Sequence, residues 1–274
     1  MPGGHLYSRL GHAFRNVSMR APHELLFSRA RLGARYALFP LEGYPVSRLP
    51  GWPEVAARIL ASPALGAEFV ESLLHLEAGQ AGGQEADGST QTFVYVIAGG
   101  VELHVAGSRP VTLVDGGFAL VPSTDAFRLA AVRDSTVLML RKAYEPLAGH
   151  APPGLLVGNE RDVADAAYLG DEGARLKPLV PDEPAYDLAM NIFTFLPGHG
   201  LPVVETHVME HGLYVLAGKG LYWLDDTWLE TQAGDFIWMG PYVPQSFQAT
   251  GPVPTRYIYY KNVNRDVRPA PLHR

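Results

Sequence analysis

Cysteine is absent from this chain of 274 residues, and so are long apolar runs and clusters of basic residues. The lack of cysteine excludes a disulfide scaffold, a cysteine nucleophile and thiolate metal ligands. No apolar run approaches the length that a membrane-spanning helix needs. A formal net charge of −6 without a basic run argues against nucleic acid or an anionic membrane as partner. We expect neither partner, and a cytoplasmic location, since residues 1–23 lack the unbroken apolar segment of a secretory signal.

Glycine and proline, in contrast, are frequent and scattered along the chain. The 29 glycines and 23 prolines separate many short runs of β-branched and aromatic residues. This pattern predicts an all-β sandwich or barrel rather than alternating strands and helices. Helices are expected only at residues 53–60 and 160–167.

An internal repeat organises the sequence. Residues 92–99 (TFVYVIAG) resemble residues 211–218 (HGLYVLAG), which lie 119 positions later. Residues 116–122 (GGFALVP) resemble residues 234–240 (GDFIWMG), 118 positions later. Two copies of one β unit at nearly constant spacing indicate a tandem duplication.

The boundary between the two copies is expected within residues 149–154 or 171–184, both rich in turn-forming residues. We place the N-terminal domain at 1–150, with an N-terminal extension, and the C-terminal domain at 151–274.

Candidate metal ligands lie in the second copy. Glu205, His207 and His211 occupy alternate positions in a chain that has only ten histidines. Alternate residues of a strand share a face, so a strand here would point all three side chains the same way. A carboxylate with two imidazoles is a nitrogen and oxygen donor set that suits Mn, Fe, Ni, Zn or Cu. Any one of these histidines alone is better explained as an ordinary surface or core residue.

A helical zinc-protease motif is the alternative for the same histidines. That motif requires glutamate directly after the first histidine, but Val208 stands there and the glutamate is at position 210. The flanking residues are also typical of strands. The zinc-protease interpretation is therefore rejected.

The spacing of these residues resembles the metal motifs of cupins. The first cupin motif runs His-x-His, three or four residues, Glu, six residues and Gly. Here the order is Glu205-x-His207-x3-His211-x6-Gly218, with the His and Glu types exchanged. The second motif leads from Gly234 to Gln245 at the fourth ligand position. The chain thus resembles a bicupin, which implies an all-β fold of two tandem jelly-roll barrels with a few short helices.

The Glu/His/His/Gln set further resembles the manganese site of the (S)-ureidoglycine aminohydrolase family, and the likeness extends to residues 256–267. It implies a metal-dependent hydrolase of purine and allantoin catabolism that releases ammonia from (S)-ureidoglycine to give (S)-ureidoglycolate. It implies one Mn²⁺ per chain, with other divalent metals left open, and a homo-oligomer. The implied metal ligands are Glu205, His207, His211 and Gln245.

The same resemblance assigns contacts with the small anionic ureido substrate to Tyr222, Tyr257 and Lys261. Glu205 is expected to be a metal ligand, and a role for it in proton transfer is left open. By alternation, Tyr257, Tyr259 and Lys261 share one strand face, although this face could equally point to solvent and leave Lys261 exposed.

The first copy carries no comparable donors. The repeat places Ala86, Gly88, Thr92 and Phe127 where the second copy has its four candidate ligands. We therefore expect the N-terminal unit to be metal-free and structural. Two other functions remain open at this stage: a cupin metal-dependent oxygenase or oxidase, with a largely apolar cavity, and a non-catalytic bicupin that binds a small molecule.

Overall fold

The computed structural model describes residues 29–266, and it confirms the predicted all-β class. Residues 1–28 and 267–274 lie outside the described part, including the N-terminal extension and Val267 of the resembling segment. In the described part, no helix is long and apolar enough to cross a lipid bilayer.

Twenty strands run through residues 29–266. They are β1 (Arg31–Leu32), β2 (Tyr36–Phe39), β3 (Ser47–Leu49), β4 (Trp52–Ala61), β5 (Phe69–Leu76), β6 (Ala81–Gln84), β7 (Thr90–Val105), β8 (Val111–Val114), β9 (Gly117–Val121), β10 (Phe127–Ala143), β11 (Leu156–Asn159), β12 (Ala166–Tyr168), β13 (Asp171–Pro178), β14 (Leu188–Phe195), β15 (His211–Ala217), β16 (Lys219–Leu224), β17 (Thr227–Gln232), β18 (Phe236–Met239), β19 (Gln245–Ala249) and β20 (Thr255–Asn262). Short 3₁₀ helices cover Leu41–Gly43, Pro63–Leu65 and Glu160–Asp162.

The strands form three antiparallel sheets. A nine-stranded sheet has the order β11-β9-β7-β10-β5-β4-β3, with β6 beside β10 and β8 beside β7. An eight-stranded sheet has the order β1-β2-β18-β15-β20-β14-β13-β12, and a three-stranded sheet the order β17-β16-β19. Strands therefore cross the expected boundary between the copies, because β2 pairs with β18 and β11 pairs with β9. The division at residue 150 stays a prediction.

Three hydrophobic cores hold these sheets together. One is formed by residues of the nine-stranded sheet and includes Trp52, Val94 and Met139. A second lies between the eight-stranded and three-stranded sheets. The third joins the two large sheets through residues such as Phe69 and Ile258. Each buried side chain of this kind contributes about 1.5–3 kcal/mol relative to its exposed state.

The register of the strands matches the sequence repeat. Thr92 of β7 pairs with Val121 of β9, as His211 of β15 pairs with Met239 of β18. Gly218 ends β15 with a φ of 79°, and a Cβ there would lie 2.6 Å from the Cα of Thr255. A side chain at position 218 would therefore collide with the neighbouring backbone.

The helix expected at residues 53–60 is wrong, because these residues lie within β4. Val55 and Ala57 are buried in the core of the nine-stranded sheet, whereas Leu60 is buried in the core that joins the large sheets. Burial on both faces and pairing with β5 override the helix propensity of the Ala, Arg and Leu residues.

The helix expected at residues 160–167 is also wrong beyond its first turn. Only Glu160–Asp162 is helical, as a 3₁₀ turn capped by Asn159, and the chain enters β12 at Ala166. Glu160 is held by tertiary contacts, since its carboxylate accepts hydrogen bonds from Tyr95 at 3.1 Å and from Arg256 at 2.7 Å.

Glu71 is a fully buried carboxyl group in the core that joins the two large sheets. Its Oε2 makes no hydrogen bond within residues 29–266 and lies over Gly212, where an added Cβ would come within 2.6 Å of it. Burial raises the pKa of Glu71 from 4.5 to about 8. At neutral pH the folded protein therefore keeps this carboxyl protonated, whereas the unfolded chain releases the proton.

The raised pKa of Glu71 makes the folded protein less stable as the pH rises. Between pH 4.5 and about 8 the folded state holds one more proton at Glu71 than the unfolded state does. The Glu71 contribution therefore lowers the free energy of unfolding by up to about 1.4 kcal/mol per pH unit in this window. In urea unfolding at pH 5 and pH 8, Glu71→Gln should show a smaller loss than the wild type. Equal losses in the two proteins would contradict the assignment.

Candidate metal and substrate site

A cavity of about 370 Å³ lies between the eight-stranded and three-stranded sheets. Its volume is within the range of small-molecule sites. Every residue that the sequence analysis assigned to the metal or the substrate lines this cavity, together with polar and apolar neighbours. The lining consists of Tyr168, Leu176, Phe193, Leu201, Val204, Glu205, Thr206, His207, His211, Leu213, Tyr222, Gln245, Tyr257, Tyr259 and Lys261.

A backbone bridge brings Glu205 opposite Gln245. The Glu205 N–H donates to the Gln245 carbonyl at 2.8 Å, and the Gln245 N–H donates to the Glu205 carbonyl at 2.9 Å. The bridge is isolated, since residues 206–210 form no strand and β15 begins only at His211. The prediction that a single strand face carries Glu205 and both histidines is therefore wrong.

The segment between Glu205 and His211 departs from a strand because its backbone bonds to separate partners. The His207 carbonyl accepts from the Tyr242 N–H at 2.8 Å, and the Glu210 N–H donates to the side chain of Asn262 at 2.8 Å. These bonds pull the segment off the sheet, and they still return both histidines to the same cavity.

The two histidine rings lie side by side. Their centroids are 4.6 Å apart with an interplanar angle of 35°. His207 Nε2 lies 3.2 Å from Gln245 Nε2 and 4.0 Å from Glu205 Oε2. His207 thus stands between the carboxylate and the amide, and His211 lies behind it, against the ring of Tyr259.

Burial keeps both imidazoles neutral. Desolvation lowers the pKa of His207, although the nearby Glu205 carboxylate partly opposes this. Desolvation also lowers the pKa of His211, and the proximity of His207 and of the Lys261 ammonium lowers it further. A neutral imidazole has a free lone pair on one ring nitrogen, which is the form that binds metal ions.

The Gln245 amide can present either of its ends to His207. As placed, its Oε1 accepts a 2.7 Å hydrogen bond from the Tyr222 hydroxyl, and its Nε2 faces His207. A half-turn about the last side-chain bond exchanges the two atoms, and the hydrogen-bond network decides which orientation is adopted. The amide oxygen would then face His207, and the NH₂ group would donate to Tyr222. Gln245 can therefore supply an oxygen ligand without backbone movement.

Three buried tyrosines form another part of the cavity wall. Tyr222, Tyr257 and Tyr259 are each at most 7% exposed. Burial is the main cause that raises the pKa of all three hydroxyl groups, so they stay protonated at neutral pH. Asn191 orients Tyr259 by a 3.2 Å hydrogen bond from its Nδ2 to the tyrosine hydroxyl.

Lys261 lines the cavity near the end of β20. It pairs with His211 across the sheet, and its charge lowers the pKa of both His207 and His211. Among residues 29–266, no carboxylate forms a salt bridge with Lys261 within 4.0 Å. The cavity therefore contains an ammonium group without a counter-charge close by.

The four candidate ligands suit a divalent cation. In the described part of the chain, no three His, Cys, Asp or Glu side chains lie close enough to form a metal-binding group by themselves. Here the amide of Gln245 lies nearer to His207 than the carboxylate does. His207 Nδ1 is buried and has no hydrogen-bond partner in the described residues. Two neutral imidazoles, a carboxylate and an amide are hard to borderline donors that fit Mn²⁺ and similar ions.

Tyr168 also lines the cavity, although no sequence pattern indicates it. Its hydroxyl donates a short hydrogen bond to Glu205 Oε1, and its ring packs edge-on against Phe193. Burial and this hydrogen bond raise the pKa of the Tyr168 hydroxyl. No local signal marks this residue, because β12 lies far from Glu205 in the sequence and reaches the cavity only through the sheet.

Removal of the Tyr222 hydroxyl should destabilise the metal-free protein. Tyr222→Phe leaves the buried Gln245 oxygen without its donor, at a cost of roughly 1–3 kcal/mol. Tyr36→Phe is a matched control in the same core, because the Tyr36 hydroxyl makes no hydrogen bond within residues 29–266. Urea unfolding with a chelator present measures both variants. A Tyr222→Phe protein as stable as the control would refute the role of this bond.

Comparison with known proteins places this chain in a family. The cupin domain family matches residues 191–260. The chain is 36% identical over 250 residues to the (S)-ureidoglycine aminohydrolase of Escherichia coli (strain K12), across 89% of this chain and 95% of that protein. It is 33% identical over 240 residues to the (S)-ureidoglycine aminohydrolase of Arabidopsis thaliana, across 88% of this chain and 80% of that protein.

A solved structure agrees with these sequence relatives. The putative glyoxylate-induced protein of Pseudomonas aeruginosa superposes with a TM-score of 0.82 and is 30% identical, over 90% of this chain and 94% of that chain. With the all-β fold and the identity to curated enzymes over nearly the whole length, this chain belongs to the (S)-ureidoglycine aminohydrolase family of cupin enzymes.

Proposed function

We propose that this enzyme hydrolyses (S)-ureidoglycine to (S)-ureidoglycolate and ammonia in purine and allantoin catabolism. The oxygen of water forms a bond to the carbon that carries the amino group, and the carbon–nitrogen bond breaks. The nitrogen leaves as ammonia after taking up a proton, and the carboxylate and ureido groups are unchanged.

The position of Lys261 in the cavity wall is the single observation on which this proposal rests. An ammonium group at a partly buried position is costly unless an anion neutralises it. No such anion lies within salt-bridge distance in residues 29–266, so a bound substrate must supply it. A small α-substituted carboxylate fits both the charge and the volume of the cavity.

The proposed metal site uses Glu205, His207, His211 and Gln245, one ion per chain, and Mn²⁺ is the proposed ion. When bound, the metal supplies a Lewis acid that fixes which face of the substrate reacts. Neutral His207 and His211 provide nitrogen lone pairs, and Glu205 provides the compensating negative charge.

The remaining side chains position the substrate. Lys261 pairs with its carboxylate, and the Tyr222 and Tyr257 hydroxyls hydrogen-bond to the ureido group. We propose that the Glu205 carboxylate, besides binding the metal, accepts a proton from the attacking water. Fixed donors of this kind accelerate a reaction by holding the reacting atoms in line.

The N-terminal copy is proposed to be structural and metal-free. Phe127, which corresponds to Gln245, packs against Trp52 at a centroid distance of 6.5 Å. Both rings fill the volume that the second copy leaves open. We also propose a cytoplasmic homo-oligomer.

Ammonia release and oxygen consumption distinguish the proposed function from its rivals. With (S)-ureidoglycine generated in situ from allantoate, the wild type with Mn²⁺ should release ammonia and consume no oxygen. EDTA should abolish the release, and added Mn²⁺ should restore it. Oxygen uptake would instead indicate an oxygenase, and binding without turnover a non-catalytic bicupin.

Lys261→Met should lower kcat/KM by roughly 10–100-fold, since one charge-assisted hydrogen bond is worth about 1.5–3 kcal/mol. Lys219→Met serves as the control, because Lys219 is exposed at the start of β16 and does not line the cavity. A similar kcat/KM in the two variants would exclude a substrate contact for Lys261.

Glu205→Gln separates the ligand role of Glu205 from its proton role. The variant keeps an oxygen donor but cannot accept a proton at neutral pH. We expect it to retain part of its bound metal and to lose turnover, as measured by metal analysis beside the ammonia assay. Parallel losses of metal and activity would leave Glu205 as a ligand only.

A further inference from the structure

The two oxygens of the Glu205 carboxylate have different surroundings. Oε1 accepts the hydrogen bond from Tyr168, whereas Oε2 makes no hydrogen bond within residues 29–266 and lies 4.0 Å from His207 Nε2. One oxygen is therefore occupied by a protein donor, and the other faces the imidazole.

Tyr168 is held in place by a rigid turn. It ends β12, and Leu169 and Gly170 follow it with φ values of 49° and 86°. Tyr168 then pairs directly with Asp171 at the start of β13. Two successive residues with positive φ form the tight hairpin geometry that matches the twist of the flanking strands.

The hairpin is also anchored to the loop that leads to Glu205. His199 Nδ1 lies 3.0 Å from both carboxylate oxygens of Asp171. The His199 ring covers Gly173, where an added Cβ would come within 2.1 Å of its Nδ1. The contact between His199 and Asp171 thus holds the hairpin that carries Tyr168 against the chain that leads to Glu205.

The N-terminal copy provides an internal comparison. Its corresponding hairpin pairs Leu49 with Trp52, as Tyr168 pairs with Asp171, and the two hairpins have a register shift at the same place. Leu49 has no hydroxyl, and Ala86 of that copy has no carboxylate. The donor is therefore present in the copy that has the carboxylate and absent from the copy that lacks it.

We propose that Tyr168 is a positioning residue that restricts Glu205 to binding the metal through Oε2 alone. This inference rests on the proposed metal site. Without the Tyr168 hydroxyl, the Glu205 carboxylate is free to rotate and to approach the ion with both oxygens, which changes the geometry that the substrate meets. Mutation of a residue that orients a metal ligand typically changes metal affinity or activity by roughly 10–100-fold.

The test is Tyr168→Phe, which removes the hydroxyl and keeps the ring that packs on Phe193. Mn²⁺ affinity is measured by competition with a chelator, and the environment of the bound ion by its electron paramagnetic resonance spectrum. We expect a roughly 10–100-fold change in affinity or kcat and an altered spectrum. The metal-free variant should lose less stability than Tyr222→Phe does, since the Glu205 side chain is 17% exposed and water can replace the lost donor. Tyr186→Phe is the control, since Tyr186 does not line the cavity.

The possible outcomes separate this inference from the proposed function. Wild-type affinity, spectrum and kcat in Tyr168→Phe would overturn the positioning role, and so would a wild-type protein that binds no divalent ion. A changed affinity and spectrum would support the role even if the wild type released no ammonia from (S)-ureidoglycine. In that case only the proposed reaction would fail, because Mn²⁺ binding is measured without substrate.

Discussion

The pair of backbone hydrogen bonds between Glu205 and Gln245 is the constraint on which the site depends. Glu205 precedes β15 of the eight-stranded sheet, and Gln245 begins β19 of the three-stranded sheet. The bridge therefore ties the two sheets together at the cavity. It places a carboxylate and an amide on either side of His207, which regular strand pairing alone would not achieve. Because the bridge involves only Glu205 and Gln245, residues 206–210 leave the sheet, and the chain rejoins it at His211.

Burial sets the protonation states that this arrangement needs. The desolvation that stabilises the core also lowers the pKa of His207 and His211 and raises the pKa of the neighbouring tyrosines. The imidazoles then offer lone pairs, and the tyrosines offer hydrogen-bond donors. Lys261 lacks a nearby counter-charge in the described part of the chain. Lys261 lines the cavity, so the same packing that forms the fold places its ammonium group there.

The two copies of the β unit share strand registers but have different interiors. Equivalent strand registers at Thr92 and His211 show that the backbone is conserved between the copies. In the N-terminal copy, Trp52 and Phe127 fill the interior with hydrophobic contacts. The C-terminal copy places Gln245 at the position that corresponds to Phe127 and leaves a cavity. Strand β2 pairs with β18 of the C-terminal copy, and the two large sheets share a hydrophobic core. The stability of the cavity therefore depends on the N-terminal copy as well.

The sequence by itself determined the all-β class and the repeat, because composition and repeat spacing are local or periodic properties. Motif spacing indicated the candidate metal ligands, and the family resemblance indicated Tyr222, Tyr257 and Lys261, all of which line the cavity. The sequence did not determine β4, which was expected to be a helix, since pairing with β5 outweighs local propensity. Nor did it determine the loop at 206–210 or the contact of Tyr168 with Glu205. Only the tertiary structure decided these features, because each depends on hydrogen bonds or packing between segments that are distant in the sequence and leave no local pattern.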